Sequence, residues 1–419
     1  MPGVQDMRVG VDNGTDASVT VDLLARNSGA MAATIADRAT PLQDAGLSPR
    51  EEAGEKPMRS FRARFSPSKF PYRKLLSALA IGFVGGCVFF YFHLPLPWML
   101  GSLVACLIAS LFNMPVAVPG IVRPPMLMLV GVVLGSGFTS DMAGSMIDWL
   151  PGLGILMLFV TVTAGCCYFY FRRVGGFDHW TAFFSGMPGG LVEMTALGDV
   201  YGANTRAIAL VHSSRIMLVV LTLPFVLSFV GGQALTGTTR SGASILEAPI
   251  SAELWLFGTG LCGALLGRLL SMPSPFLMGP MLVSAAIHLA GVSAFHAPWE
   301  IIAFAQLVLG SALGCSFAGV KKSSILHILR LSVGSTAFLV AASTSCALLV
   351  SHLTGSPILS LLLAYSPGGL TETSLMALSL HVDVAFVATH HVLRVFFVAV
   401  SATFLARLLK RSKLAKKDG

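Results

Sequence analysis

The sequence predicts an all-α polytopic membrane protein, built from two inverted repeats of about five spans plus one broken re-entrant segment each. Hydrophobic residues make up 54% of the 419 residues, whereas charged residues make up 11%. Soluble domains usually carry about 25% charged residues. Many apolar windows are also longer than the ~20 residues that cross a bilayer. A soluble chain of this length cannot bury so much apolar side chain, so the membrane class follows.

The first segment of the chain differs in composition from the rest. Residues 1–70 are rich in Asp, Ala, Gly, Thr and Arg and show no sustained apolar period, which predicts a disordered N-terminal extension. No apolar core follows a basic start, so no secretory signal is predicted. Met58 precedes a short basic stretch and is an alternative start, which leaves open whether residues 1–57 are translated.

Four motifs recur in the same order at a spacing of 178 or 179 residues, which indicates an internal duplication. In transporters, repeats of this size usually enclose a binding site between the two halves. The matched motifs are Pro97-Trp98-Met99-Leu100-Gly101 with Pro275-Phe276-Leu277-Met278-Gly279, Gly131-x-x-x-Gly135 with Gly310-x-x-x-Gly314, Pro188-Gly189-Gly190-x-x-Glu193 with Pro367-Gly368-Gly369-x-x-Glu372, and His212-x-x-Arg215 with His391-x-x-Arg394.

The duplication divides the membrane part into two repeats, 71–230 and 253–409, joined by a loop at 231–252 and followed by a basic tail at 410–419. Each repeat contains a Pro-Gly-Gly break, at 179–198 and 357–380, where missing backbone donors and added flexibility disfavour a continuous helix. The predicted spans are 75–93, 96–112, 125–139, 149–171 and 205–230 in the first repeat, and 253–270, 275–291, 301–318, 331–351 and 384–409 in the second.

Loop charges predict the orientation of the spans. Basic residues flank the first span and fill the tail, so both termini are predicted to be cytoplasmic. If each broken segment returns to the side it entered, Arg172, Lys321 and Lys322 fall inside and Asp141 falls outside, with Arg240 as the one basic loop residue that disagrees. Five spans per repeat is an odd number, so the two repeats are predicted to be inverted.

Six matched ionisable side chains lie in or near the predicted spans: Glu193, His212, Arg215, Glu372, His391 and Arg394. A charge at the centre of a span costs at least about 2.5 kcal/mol, so such residues have a functional or a paired role by default. Structural roles also remain open for them. The glutamates can cap the second half-helix of each break, the arginines can neutralise the glutamates, and the histidines can bond to packing neighbours.

The functional interpretation is an anion-binding and proton-exchanging site. Each half-helix that starts after a Pro-Gly-Gly break points its positive N-terminal end towards the middle of the membrane. The arginines add positive charge, and the Glu and His side chains can exchange protons. The candidate substrate- or ion-binding residues are Pro188, Gly189, Gly190, Glu193, His212, Arg215, Pro367, Gly368, Gly369, Glu372, His391 and Arg394; the Gly-x-x-x-Gly motifs are assigned to helix packing.

Other classes of site have little support. The seven cysteines form no C-x-x-C pair and no Cys/His metal spacing, so neither a metal, a cofactor nor a disulfide framework is predicted. The net charge of +8 is distributed over loops and the tail. It fits topology signals better than a nucleic-acid-binding face.

The paired Pro-Gly-Gly-x-x-Glu and His-x-x-Arg blocks resemble the AbrB family of bacterial membrane proteins over about residues 75–409. This resemblance implies a duplicated membrane domain and a bacterial inner-membrane location, and it supplies no catalytic residues. Members carry two labels, ammonia monooxygenase and transcriptional regulator. The sequence contains no metal, flavin or nucleotide motif that an oxygenase requires, so enzyme activity is not predicted.

The predicted function is that of a secondary transporter or transporter-like protein for a small solute, either anionic or carbonyl-bearing, in which the Glu and His residues offer a route to proton coupling. The alternative is a membrane-bound sensor that acts indirectly on gene expression. The expected partners are the lipid bilayer, a small solute and H⁺, without direct nucleic-acid contact; a homo-oligomer remains open.

Overall fold

The computed structural model describes residues 70–139, 142, 145–231, 244–247, 249–319 and 322–415. Within these ranges the regular structure is helical, with no strand. The predicted disordered extension lies outside the described residues except for Phe70. The loop residues Asp141, Arg240 and Lys321 lie outside them as well.

The first half of the described chain forms seven helices. They are α1 (Tyr72–Tyr91), α2 (Pro97–Leu111, beginning with a π-helical turn at Pro97–Gly101), α3 (Arg123–Gly135), α4 (Leu150–Arg173), α5 (His179–Gly186), α6 (Leu191–Val200) and α7 (Thr205–Gly231).

The second half forms seven helices in the same order. They are α8 (Ile250–Leu269), α9 (Pro275–Leu289), α10 (Trp299–Gly314), α11 (Lys322–Thr354), α12 (Ile358–Tyr365), α13 (Leu370–Ser379) and α14 (Val384–Ala415). Each predicted span coincides with one of these helices, and each predicted break separates two short ones.

The correspondence between the halves extends to the backbone conformation of the turns. Leu96 has φ 47° and Ser274, 178 residues later, has φ 46°. These are left-handed conformations that residues other than glycine rarely adopt. Four more pairs at a spacing of 178 or 179 residues share positive φ, namely His93 with Ser271, Asn113 with Gly291, Gly176 with Gly355 and Gly202 with His381.

Within the described residues, seven stretches are long and apolar enough to cross a membrane. They are Tyr72–Tyr91, Met146–Arg173, Thr205–Leu227, Ile250–Leu269, Trp299–Phe317, Leu326–Thr354 and Val384–Lys410. Large apolar side chains on these helices are exposed, among them Phe83, Leu158 and Phe257. Such surfaces suit contact with lipid rather than with water.

The two Gly-x-x-x-Gly motifs bring helices of opposite halves into close contact. A Cβ added at Gly131 on α3 would overlap the carbonyl oxygen of Leu277 on α9. A Cβ added at Gly310 on α10 would overlap the carbonyl oxygen of Met99 on α2. Since Met99 and Leu277 are matched positions, the two contacts are reciprocal, as in an interface with two-fold symmetry.

The helices form two bundles. The six-helix bundle contains the first three helices of each half, α1–α3 and α8–α10, and the eight-helix bundle contains the last four of each half, α4–α7 and α11–α14. Contacts are extensive inside each bundle. The contacts between bundles are fewer and are made chiefly by α3 with α13 and α14, and by α10 with α7.

Candidate functional site

A cavity of about 580 Å³ lies between the two bundles. Both Pro-Gly-Gly breaks line it, and α3, α9 and α10 complete its wall with apolar side chains that include Leu127, Leu277 and Leu309. We refer to it as the central cavity. Its charged lining residues are four arginines and two glutamates, Arg123, Arg206, Arg215, Arg394, Glu193 and Glu372.

Ten of the twelve predicted site residues line the central cavity. They are Pro188, Gly189, Gly190, Glu193, Arg215, Pro367, Gly368, Gly369, Glu372 and Arg394. The other two, His212 and His391, are fully buried behind this lining. The structure thus brings together the breaks of both halves and leaves the histidines outside the cavity wall.

The first break begins where α5 ends at Gly186 and Met187 turns to an extended conformation. Asp178 starts α5 by accepting hydrogen bonds of 3.0 Å from the backbone N–H groups of Trp180 and Thr181. Burial alone would raise the pKa of the Asp178 carboxyl. The hydrogen bonds from Thr181 and Trp180 outweigh this effect and hold the pKa below its usual value.

Each break ends at a glycine that caps the second half-helix. Gly190 precedes α6 and Gly369 precedes α13, both with an extended backbone. A Cβ at Gly190 would overlap the Glu193 carboxylate, and a Cβ at Gly369 would overlap that of Glu372. Both glutamates therefore fold back over the start of their own helix at its third position, where a carboxylate is favoured by the helix dipole.

The His-x-x-Arg motifs tie the last helix of each half to the break. The Nε2 atom of His212 lies 3.0 Å from the carbonyl oxygen of Phe184, and the Nε2 atom of His391 lies 3.0 Å from that of Leu363. Both carbonyls belong to the last turn of a half-helix, whose carbonyl oxygens lack helical partners. The histidines therefore satisfy backbone groups, which is one of the structural roles left open by the sequence.

The two buried arginines also bind backbone carbonyl oxygens of the breaks. Arg215 donates from Nη2 to the carbonyl oxygen of Met187 at 3.3 Å, and Arg394 donates to those of Ser366 at 2.6 Å and Gly368 at 2.7 Å. Their exposed fractions are 3% and 5%. They place positive charge at the break, next to the carbonyl-rich ends of α5 and α12.

Neutralisation of the glutamates by Arg215 and Arg394, one of the roles left open by the sequence, is not the arrangement found in the described structure, although all four side chains line the central cavity. Glu193 accepts hydrogen bonds from the backbone N–H of Ser274 at 3.1 Å and from its hydroxyl at 3.2 Å. Ser274 is the N-cap residue directly before α9, so its N–H has no helical partner and can donate to Glu193. The arginines are already committed to backbone carbonyls, and no ion pair joins them to either glutamate in the described part of the chain.

Glu372 has a different cationic neighbour, Arg123, which exerts an attractive electrostatic interaction on it. Arg123 begins α3 and donates from Nη2 to the carbonyl oxygen of Ala312 at 2.9 Å. Arg123 was not among the site residues predicted from the sequence. Its one signal in the sequence is its place at the start of an apolar stretch, next to Pro124 and Pro125.

Three arginines that line the central cavity each keep one donor without a partner in the described structure. The Nε atoms of Arg123, Arg215 and Arg394 are buried and have no hydrogen-bond partner among the described residues. Arg215 and Arg394 also lie close enough to repel each other. A guanidinium group offers five N–H donors in a fixed plane, which suits a carboxylate or another oxyanion. The arrangement can therefore bind an anion between the two breaks.

The described residues contain no cluster of three or more His, Cys, Asp or Glu side chains in a metal-binding arrangement. His390, which has no counterpart because Val211 occupies the matched position, places Nδ1 2.8 Å from the carbonyl oxygen of Phe386. Its Nε2 atom is buried without a partner in the described structure and does not line the central cavity.

The sequence is similar to a known family and to known proteins. Residues 98–410 match the family described as "Transition state regulatory protein AbrB". "Uncharacterized protein YhjN" of Bacillus subtilis (strain 168) is 29% identical over 367 residues, covering 81% of this chain and 94% of the relative. "Putative regulator AbrB" of Escherichia coli (strain K12) is 24% identical over 345 residues, covering 79% of this chain and 93% of the relative. The family match covers well over half of the sequence, and the chain therefore belongs to the AbrB family.

Proposed function

We propose that this protein is a secondary transporter of the bacterial plasma membrane that moves a small anionic solute together with protons. One observation carries the proposal. Two half-helix N-termini and two buried arginines, contributed by opposite halves of the chain, open onto one cavity between two bundles.

The chemistry of the central cavity favours an anion. Helices α6 and α13 each have ten residues, and their first N–H groups have no partner within the helix. The four arginines outnumber the two glutamates in the lining. A bound anion would reduce this excess of positive charge and would accept charge-assisted hydrogen bonds from guanidinium groups of the lining.

The proposed topology has ten spans in two inverted repeats, with both termini in the cytoplasm. The matched helix boundaries, the matched positive-φ turns and the reciprocal contacts of Gly131 and Gly310 support the repeat. Seven long helices and three shorter apolar ones, Pro97–Leu111, Gly120–Gly135 and Pro275–Leu289, account for ten spans. An odd number of spans in each repeat requires opposite orientations.

The two-bundle architecture supports a transport cycle. Inverted-repeat transporters change access to a central site by moving one part against another as nearly rigid bodies. Here the eight-helix bundle carries both breaks, and it makes few contacts with the six-helix bundle. The proposal includes no enzymatic step, since the matched histidines already use Nε2 on the carbonyls of Phe184 and Leu363.

A membrane-bound sensor is the second candidate, favoured by the word "regulator" in the name of the Escherichia coli relative. A sensor would bind the same class of anion in the same cavity, and its effect on gene expression would be indirect. The two candidates differ in one property, because only a transporter moves the anion across a membrane by itself.

The test uses the purified full-length protein. Its melting temperature is measured with inorganic phosphate, sulfate or succinate, and uptake of the same radiolabelled anions is measured in liposomes. A ligand at 100 times its Kd stabilises the folded state by about 2.7 kcal/mol. We expect at least one anion to raise the melting temperature and to be taken up. Binding without uptake would favour the sensor, and the absence of both would contradict the proposal.

Arg394→Gln and Arg407→Gln provide a matched comparison on α14, because Arg394 lines the central cavity and Arg407 is exposed. We expect Arg394→Gln to abolish anion binding and Arg407→Gln to leave it intact. Arg394→Lys keeps the charge and checks that any loss is not caused by misfolding, since it should retain part of the binding.

A further inference from the structure

The two matched glutamates have different surroundings, and the difference is encoded in the sequence. Glu193 accepts two hydrogen bonds from Ser274. The position that matches Ser274 in the first half is Leu96, which has no hydroxyl group. Accordingly, Glu372 accepts no hydrogen bond from the side chain of another residue in the described part of the chain. Glu193 is held in place across the boundary between the bundles, and Glu372 is not.

Arg123 lies on the opposite side of the same boundary from Glu372. It belongs to the six-helix bundle, whereas Glu372 belongs to the eight-helix bundle, and both line the central cavity. Ala312 fixes one end of the guanidinium group, and Nε remains buried without a partner in the described structure. Ile301 and Ile302 occupy the positions that correspond to Arg123 in the second half, so this cation has no counterpart.

Few groups near Glu372 can change their charge at physiological pH. The helices packed against α13 present Arg123 on α3, Tyr365 on α12, and His390, His391 and Arg394 on α14. Both histidines are fully buried and neither lines the central cavity. Arginine stays protonated in proteins.

The other residues of the central cavity lining limit further which group can bind a proton. The lining also contains Arg206, Arg215 and Glu193. Of the lining residues, only the two glutamates can therefore take up and release protons. Glu193 is already engaged with Ser274.

We infer that Glu372 is the proton-binding group of the transport cycle and that Arg123 is its counter-ion, so that protonation of Glu372 makes Arg123 available to the substrate anion. The inference rests on the proposed transport function. In this step a hydronium ion transfers a proton to the Glu372 carboxylate: an O–H bond of the hydronium ion breaks, an O–H bond of the carboxyl group forms, and water is released. The cavity gains one positive charge, which one negative charge of the anion compensates.

The coupling between the two ligands is reciprocal. If protonation of Glu372 raises the affinity for the anion, then the bound anion raises the affinity for the proton by the same factor. Proton and anion therefore load together, which is the condition for symport. Glu193 acts as a positioning residue that links the bundles through Ser274.

The experiment measures binding of phosphate, sulfate and succinate to the purified full-length protein between pH 5.5 and pH 8. In the wild type we expect affinity to rise at low pH by a factor within the usual range for coupled sites, about 5 to 150. At pH 5.5 and at pH 8, Glu372→Gln should bind the anion with the high affinity of the wild type at low pH. At both of these pH values, Arg123→Gln should bind it with the low affinity of the wild type at high pH. Anion binding by both variants should therefore be independent of pH.

Two further variants and a transport measurement complete the test. Glu193→Gln keeps an acceptor for Ser274 and should retain the pH dependence, as should Asp199→Asn, which alters an exposed residue of α6. In liposomes, Glu372→Gln should exchange anions but fail to accumulate them when the outside is acidified. Persistence of pH-dependent binding in Glu372→Gln would overturn the assignment of Glu372 alone. Failure of the wild type to bind any of the three anions would overturn the proposed function and this inference with it.

Discussion

At the scale of single residues, the contact between a capping glycine and the glutamate three positions later places a negative charge at the edge of the central cavity. Without a side chain, Gly369 lets the Glu372 carboxylate fold back over the first turn of α13, and Gly190 does the same for Glu193 on α6. This position keeps a carboxylate at the edge of the cavity and close to helix N–H groups.

Gly369→Ala tests this contact. The backbone at Gly369 is extended, with φ −78° and ψ 151°, so alanine fits its conformation. The new Cβ would displace the Glu372 carboxylate, and we expect the pH dependence of anion binding to weaken. Loss of a favourable N-cap should also cost about 1 kcal/mol of stability.

Gly258→Ala is the control, because a Cβ at Gly258 on α8 has no neighbour within 4 Å. In the interior of a helix, this change should be neutral or slightly stabilising. If the two variants had the same melting temperature and the same anion binding, the contact between Gly369 and the Glu372 carboxylate would contribute to neither stability nor binding.

Most residues of the candidate site could be predicted from the sequence, but the contacts between them could not. The matched motifs identified ten residues of the cavity wall, because ionisable and helix-breaking residues are rare in apolar spans. The partners of Glu193 and Glu372 were not predictable. The partner of Glu193 depends on the left-handed turn at Ser274. The neighbour of Glu372 depends on the packing of Arg123, from the six-helix bundle, against the eight-helix bundle. Neither feature produces a local pattern in the sequence.

At the scale of helices, the fold depends on close approach between α3 and α9 and between α2 and α10. Gly314 on α10 illustrates this. A Cβ there would lie 2.5 Å from the carbonyl oxygen of Leu103 and 2.9 Å from the Cβ of Cys106. The backbone of α2 cannot move away without disturbing its own packing in the six-helix bundle.

Gly314→Ala should therefore lower the melting temperature. Overpacking of a close contact usually costs about 1–3 kcal/mol. Gly165→Ala on α4, where a Cβ would have no neighbour within 4 Å, should not lower it. Thermal unfolding of both variants in detergent measures the difference. Equal melting temperatures would mean that the Gly-x-x-x-Gly contact on α10 tolerates a methyl group.

The positions of the helices were more predictable than their arrangement. Apolar runs located the spans, and Pro-Gly-Gly located the breaks, because both effects are local. The lengths were less well predicted: α11 covers Lys322–Thr354, whereas the predicted span was 331–351. The division into two bundles depends on contacts between residues far apart in sequence, so composition and spacing did not reveal it.

At the scale of the whole molecule, the proposed inverted repeat predicts on which side of the membrane each loop lies. Arg173 at the end of α4 and His352 near the end of α11 are matched positions, 179 residues apart, and both are exposed. If the halves are inverted, Arg173 lies on the cytoplasmic side and His352 on the opposite side. A parallel duplication would place both on one side.

The measurement is labelling of single cysteines by a membrane-impermeant thiol reagent. Arg173→Cys and His352→Cys are made in a protein whose seven native cysteines are replaced. We expect His352→Cys to react in intact cells and Arg173→Cys to react only after permeabilisation. Reaction of both from one side would contradict the inverted topology.

The left-handed turns at Leu96 and Ser274 have a consequence for the resting orientation of the protein. In a duplicated chain, exchanging the roles of the two halves produces a second conformer of nearly equal backbone energy. A chain with identical halves would populate both conformers equally. Differences between the two halves break this equality, and among them are Ser274 against Leu96, Arg123 against isoleucine and His390 against Val211. We expect these three side chains to contribute to which face of the membrane the cavity opens to when no solute is bound.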